Sequence, residues 1–186
     1  YKVGKRSNAP FFNYLTTPLL THQYDAIQCT DDIELYVEIS DASGCVSRSS
    51  KGFANLGDTM TPVSPIITDV SVDSTGKSVI SWVPSIGADK YVIYLHGDQG
   101  ITTIDTVGSL DTSHIYTGST ANQLFETFSV KALDSCDNFK DPYPPHNSIY
   151  LEADIDACTY ELTLNWNEYI NWSNNVSYYS VVVEET

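Results

Sequence analysis

The chain has 186 residues, 41% of them hydrophobic and 18% charged, with 24 acidic against 9 basic side chains and a net charge of −15. Such a surface repels nucleic-acid phosphate and anionic lipid, which argues against both as direct partners. No apolar run reaches the roughly 20 residues of a membrane helix, and Tyr1-Lys2-Val3-Gly4-Lys5-Arg6 lacks the apolar core of a signal peptide, so no direct membrane insertion is expected.

Helix signals are nearly absent. Val, Ile, Thr, Tyr and Ser alternate with period two between clusters of turn residues, which predicts strands. Tyr1-Lys2-Val3 opens the chain as one strand, and Leu35-Tyr36-Val37-Glu38-Ile39 forms another that leads to Cys45. Thr61-Pro62-Val63-Ser64-Pro65 follows as a stiff junction, because proline lacks a ladder donor. The middle stretch then predicts strands at 66–72, 78–83, 90–95, 102–107, 114–117, 123–133 and near 139–143. Asp73-Ser74-Thr75-Gly76-Lys77 and His96-Gly97-Asp98-Gln99-Gly100 supply the turns. A second proline junction, Pro142-Tyr143-Pro144-Pro145-His146-Asn147, precedes strands at 148–151, 161–166 and 179–183.

These elements repeat. Trp82 and Trp166 end equivalent alternating runs 84 residues apart, Tyr1 and Tyr91 stand 90 apart, and Cys45 and Cys136 stand 91 apart. A period near 90 is a whole domain rather than a solenoid repeat. The expected fold class is all-β: tandem antiparallel β-sandwiches, one complete and two partial. Residues 1–61 read as the C-terminal half of a module, 62–146 as a complete one, and 147–186 as the N-terminal half of a further one.

Trp on the second strand, Tyr on the third and an aromatic-x-Val-x-Ala run on the sixth resemble fibronectin type III domains. More narrowly, Val130-Lys131-Ala132-Leu133-Asp134-Ser135-Cys136, His146-Asn147-Ser148-Ile149-Tyr150-Leu151, Ala157-Cys158 and Leu164-Asn165-Trp166-Asn167 resemble tandem modules of very large Bacteroidetes cell-surface proteins, gliding-motility-associated or adhesin-like. The usual sixth-strand tyrosine is Phe128 here and Leu35 in the first module. The tyrosine-corner hydrogen bond cannot form, so another contact must hold the fifth-to-sixth connection.

Chemistry is sparse. The histidines at 22, 96, 114 and 146 are scattered, and no nucleophile elbow, phosphate loop or Cys-x-x-Cys occurs, so neither enzyme activity nor a cofactor is expected. Asp134, Asp137, Asn138 and Asp141 are spaced as oxygen ligands for calcium could be. They lack the glycine-centred loop and closing glutamate, and solvated turn residues are the better reading. Trp172, in a long polar-aromatic connection, is a candidate binding aromatic for sugar or protein, or a rim-packing residue.

Four cysteines suggest an oxidising exterior. Cys29 and Cys45 flank a strand of about eight residues, roughly 26 Å long, too far for the ~7 Å limit of a disulfide. In a fibronectin-like sandwich the connections holding Cys29 and Cys158 lie at one pole. The middle module lacks cysteine at both equivalent places, so these two are the candidate disulfide positions. Asn171-Trp172-Ser173, Asn175-Val176-Ser177, Asp58-Thr59-Met60 and Asp105-Thr106-Val107 fit short glycosylation patterns that decide nothing.

The resemblance implies a non-enzymatic spacer or adhesion segment of a secreted or cell-surface bacterial protein. Its partners would be neighbouring modules of the same protein, surface glycans or another surface or secretion protein. The alternatives are a carbohydrate-binding or accessory linker module of a secreted enzyme, and a receptor ectodomain. Several coplanar exposed aromatics around Trp172 would favour sugar binding.

Overall fold

The computed structural model describes residues 2–6, 14–16, 20–21, 29, 32–55, 57–172 and 174–183. The chain forms two compact units, Tyr1–Met60 and Thr61–Thr186. Among the described residues all regular structure is strand, and no helix is long and apolar enough to cross a membrane.

The first unit contains β1 (Lys2–Arg6), β2 (Tyr14–Thr16), β3 (Asp32–Ser40), β4 (Val46–Arg48) and β5 (Gly52–Asn55). They form one antiparallel sheet in the order β2-β1-β3-β4, with β5 also on β3. Alternation along β3 sends Leu35, Val37 and Ile39 to one face and Tyr36 and Glu38 to the other. On the polar face Glu38 is buried and Arg48 Nε donates to it at 2.7 Å. On the apolar face Val37 and Ile39 remain 39% and 46% exposed.

The second unit begins with a sandwich built from β6 (Ile66–Val72), β7 (Ser78–Val83), β8 (Lys90–Gly97), β9 (Gly100–Gly108), β10 (Ser113–Ile115), β11 (Thr127–Leu133) and β12 (His146–Asn147). Sheet β10-β7-β6 faces sheet β12-β11-β8-β9, and every pairing is antiparallel. Period-two alternation is the cause. Ile67, Val70, Ile80 and Trp82 from one sheet meet Tyr91, Ile93, Phe128, Val130 and Ala132 from the other in a single buried core. The first unit's sheet has the same order, with β2, β1, β3 and β5 in the places of β9, β8, β11 and β12.

The strands expected at 66–72 and 78–83 are found at those bounds, and β8 and β9 run on into a tight hairpin with Gly97 opposite Gly100. Two expectations are corrected. The sixth strand starts at Thr127 rather than 123, because 120–124 turn back on themselves through Gln123 N–H and Leu124 N–H to Thr120 O. No strand forms at 139–143: Phe139 makes a single bridge to Leu133, and the seventh strand is His146–Asn147. Pro142, Pro144 and Pro145 have no N–H to give a ladder, so pairing waits until the prolines end.

Beyond the sandwich, β13 (Leu151–Asp156) and β14 (Glu161–Trp166) form a separate hairpin. Its first strand therefore starts at Leu151, where the sequence suggested 148–151. Opposed pairs Leu151/Trp166, Ala153/Leu164 and Ile155/Leu162 share one face, and Glu152/Asn165, Asp154/Thr163 and Asp156/Glu161 the other. The third strand expected at 179–183 is not formed among the described residues.

Candidate functional site

The fifth-to-sixth connection is held by a glutamate. Glu126 is 6% exposed, and its Oε2 accepts from Ser78 Oγ at 2.7 Å and Ser119 Oγ at 2.6 Å. Its Oε1 accepts from Thr120 N–H at 2.8 Å. Glu126 N–H and Ser148 also exchange bonds: Ser148 Oγ accepts from Glu126 N–H at 2.9 Å, and Ser148 N–H donates to Glu126 O at 2.8 Å. A buried carboxylate survives only with such a set of donors. The one sequence signal was the missing tyrosine two residues later, at Phe128.

Asp134 closes a turn on itself. Its Oδ1 accepts from Cys136 N–H and Asn138 N–H, both at 2.8 Å, and its Oδ2 from Asn138 Nδ2 at 3.0 Å. Burial works against the charged form, but the bonds from the Asn138 side chain and the two N–H groups outweigh it and hold the carboxyl below 3.8. Asp137, at φ 62°, ion-pairs with Lys90 at 2.6 Å, which raises Lys90 above 10.5. Asp141 contributes its backbone carbonyl, which accepts from Ser64 Oγ at 2.7 Å. The carboxylates of Asp134 and Asp137 are thus engaged by the chain's own donors. Among the described residues no three His, Cys, Asp or Glu side chains gather as a metal-binding group.

The same turn recurs elsewhere. Asp41, Asp73 and Asp156 each accept backbone N–H groups from residues two to four positions on. Cys158 sits on the Asp156 turn as an exposed free thiol, whereas Cys29 is disulfide-bonded. The two candidate disulfide positions therefore differ, and the Asp156 turn presents Cys158 exposed at the tip of a hairpin. Cys45 is also a free thiol, and Cys136, unassigned from sequence, is disulfide-bonded.

Trp172 lines an open cleft of about 580 Å³ together with Trp166, Glu168, Tyr169, Asn171 and Tyr179, among others. Its Nε1–H donates to Thr68 O at 2.7 Å, and its ring lies 4.6 Å from Tyr169 at 35°. Tyr169 is the residue that sequence reasoning missed. It is 6% exposed and inserts into the sandwich core, where Val70 N–H donates to its hydroxyl at 2.9 Å. The hydroxyl also lies 3.2 Å from His146 Nδ1. Burial, with Asp69 nearby, raises the Tyr169 phenol to about 12 against the effect of the Val70 bond. Burial depresses His146 below 6.5, against the pull of Asp69. The phenol therefore stays protonated and accepts from Val70 N–H, while the tautomer of the His146 ring sets which of Nδ1 and the hydroxyl donates in the bond between them. No spacing rule places a tyrosine from one connection in the core of the preceding sandwich.

Trp166 and Tyr179 do not form a coplanar platform with Trp172. They meet each other at 5.8 Å and a tilt of 58°, close to the 5.4 Å and 62° of the edge-on Trp82 and Tyr91.

No protein-family model matches the chain, and no curated protein matches it. Among solved structures, the chain is similar to an Fn3-like protein from Clostridium thermocellum at 20% identity and a TM-score of 0.42, covering 51% of this chain and 99% of that one.

Proposed function

We propose that this chain is a non-enzymatic structural segment, a spacer or adhesion stalk of a large secreted or cell-surface bacterial protein, with neighbouring modules as its first partners. A gliding-motility role and surface glycans as ligands belong to the same reading, through the sequence resemblance. Tyr169 carries it: a side chain from the 167–179 connection, buried in the preceding sandwich and bonded to Val70 and His146, couples successive elements into one stiff body. Asn147 supports the joint, its Nδ2 donating to Glu168 O and its Oδ1 accepting from Ile170 N–H, both at 2.8 Å. Disulfide-bonded Cys29 and Cys136 support an oxidising exterior. The engaged carboxylates support a scaffold rather than a reaction centre. Limited proteolysis and small-angle scattering of the full chain test this. Wild type should resist cleavage within 157–183 and hold one extension, and Tyr169→Ala should lose both. Equal cleavage of the two proteins would remove the stiff-spacer reading.

A further inference from the structure

The 167–179 connection grips the sandwich at a bulge. The register of β6 against β7 shifts between Ile67 and Asp69, which makes Thr68 an extra residue on the edge strand of its sheet. Side chains of the connection bond the backbone on either side of Asp69. Trp172 Nε1–H donates to Thr68 O at 2.7 Å, and the Tyr169 hydroxyl accepts from Val70 N–H at 2.9 Å. Next to that hydroxyl, 3.2 Å away, is His146 Nδ1. His146 is 5% exposed, and its ring meets that of Tyr169 edge-on at 5.7 Å and 73°. Its surroundings are poor in charge. β11 pairs Phe128 with it, β6 brings Val70 and the Asp69 carboxylate, and the connection brings Tyr169, beside Glu168 in the chain. Asp69 pulls toward protonation, but burial outweighs it.

We infer that this joint is an acid-released catch: a proton on His146 frees Tyr169 and Trp172 from β6, so the spacer is stiff at neutral pH and bends here in acid. The inference rests on the stiff-spacer reading and adds its regulation. Whichever nitrogen carries the proton in the neutral ring, a second proton puts a full charge into a buried site. Opening the joint lets water solvate that charge, so the open state takes up the proton more readily than the closed one. The closed joint therefore keeps its full stability above 6.5, and each pH unit from there down to the folded value favours opening by up to about tenfold.

An NMR titration of the full chain from about pH 7.5 to about pH 4.5 tests it, with small-angle scattering at both ends. The readouts are the His146 ring and the Val70 amide. As the ring takes up its proton, the Val70 amide should lose its hydrogen-bonded shift and open to solvent, and the single extension should broaden. His146→Gln keeps a polar group near the Tyr169 hydroxyl and should stay closed in acid, whereas His96→Gln should open as wild type does. A His146 ring that titrates while the Val70 amide and the scattering stay fixed would overturn the inference. So would a ring that stays neutral across the range, or a His146→Gln protein that still opens. Tyr169→Ala separates this result from the stiff-spacer reading. If it scatters like wild type at neutral pH, that reading falls and the catch with it. If it is looser at neutral pH but wild type ignores acid, the catch alone falls.

Discussion

Two tryptophan–tyrosine pairs in this molecule have the same local geometry and opposite fates. Trp82 with Tyr91 and Trp166 with Tyr179 meet at similar distances and steep angles, 5.4 Å and 62° against 5.8 Å and 58°. In each, the tyrosine hydroxyl accepts from the backbone N–H three residues after the tryptophan: Ser85 N–H at 2.7 Å in the first, Tyr169 N–H at 3.1 Å in the second. Yet Trp82 is 3% exposed and Tyr91 fully buried, while Trp166 and Tyr179 are 39% and 40% exposed. The pair is therefore built by the strand–loop sequence around it, and burial is added only by the opposing sheet. Stability should follow burial rather than the pair.

The largest expected effect breaks the two apart. Replacing Trp82 by Ala should cost about 3–5 kcal/mol, because it empties a closed core. Trp166→Ala should cost about 1 kcal/mol, since much of its surface is already in water. Hydrogen exchange of the β7 and β14 amides reads the strands separately, which matters because both lie in the second unit. Equal losses would mean that a sheet covers β14 as one covers β7. Trp82→Phe should be milder than Trp82→Ala, because Nε1 of Trp82 is buried without a hydrogen-bond partner among the described residues.

Glu126 sharpens the comparison, since its corner belongs to the closed sandwich and has no counterpart in the β13–β14 hairpin. Glu126→Ala should destabilise the second unit by on the order of 3 kcal/mol, because it strands Ser78, Ser119 and the Thr120 N–H in the interior. Exchange protection should fall first at β10 and β11, which the corner joins, and hardly at β13–β14. Tyr169→Phe comes next, at about 1–2 kcal/mol, for two bonds lost with the ring still in place. Its effect should appear as faster exchange of the Val70 amide.

Much of this was legible from sequence, and the limits have physical causes. Alternation in Ser78-Val79-Ile80-Ser81-Trp82 and in Phe128-Ser129-Val130-Lys131-Ala132 gave strand and face together, because period two encodes both. The seventh strand was misplaced since Phe139 and Tyr143 look like strand residues, whereas pairing depends on N–H groups that Pro142, Pro144 and Pro145 lack. The Asp134 cluster looked like a ligand set because acids at short spacing serve calcium and Asx turns alike; only the N–H groups aimed at Asp134 decide. Cys158 and Trp172 depended on what stands opposite them, and one strand's pattern carries no record of that. Tyr169 left no trace at all, being a long-range insertion from an irregular connection.

The smallest effect is a pH dependence at the joint between sandwich and hairpin. Burial holds His146 below 6.5, opposed by Asp69, and burial also depresses His96, which lies 2.8 Å from Ser129 Oγ. A depressed histidine means that the unfolded chain takes up protons first as pH falls. The stability contributed by these neutral rings is therefore complete above 6.5 and is lost as pH falls from there through their folded values. At His146 the mechanism is specific: protonation places a charge in a buried site against the Tyr169 hydroxyl, so the joint loosens while the Trp82–Tyr91 core, which has no such group, does not. The carboxyls of Asp73, Asp134 and Asp156, held low by hydrogen bonds, add their own loss only below 3.8. The urea midpoint of the second unit, followed from neutral pH to about pH 5, should fall in wild type and fall less in His146→Gln, with the remaining slope belonging to His96. If the two proteins gave equal slopes, His146 would not be the group that titrates at this joint, and the polar bridge through Tyr169 would have to be reassigned.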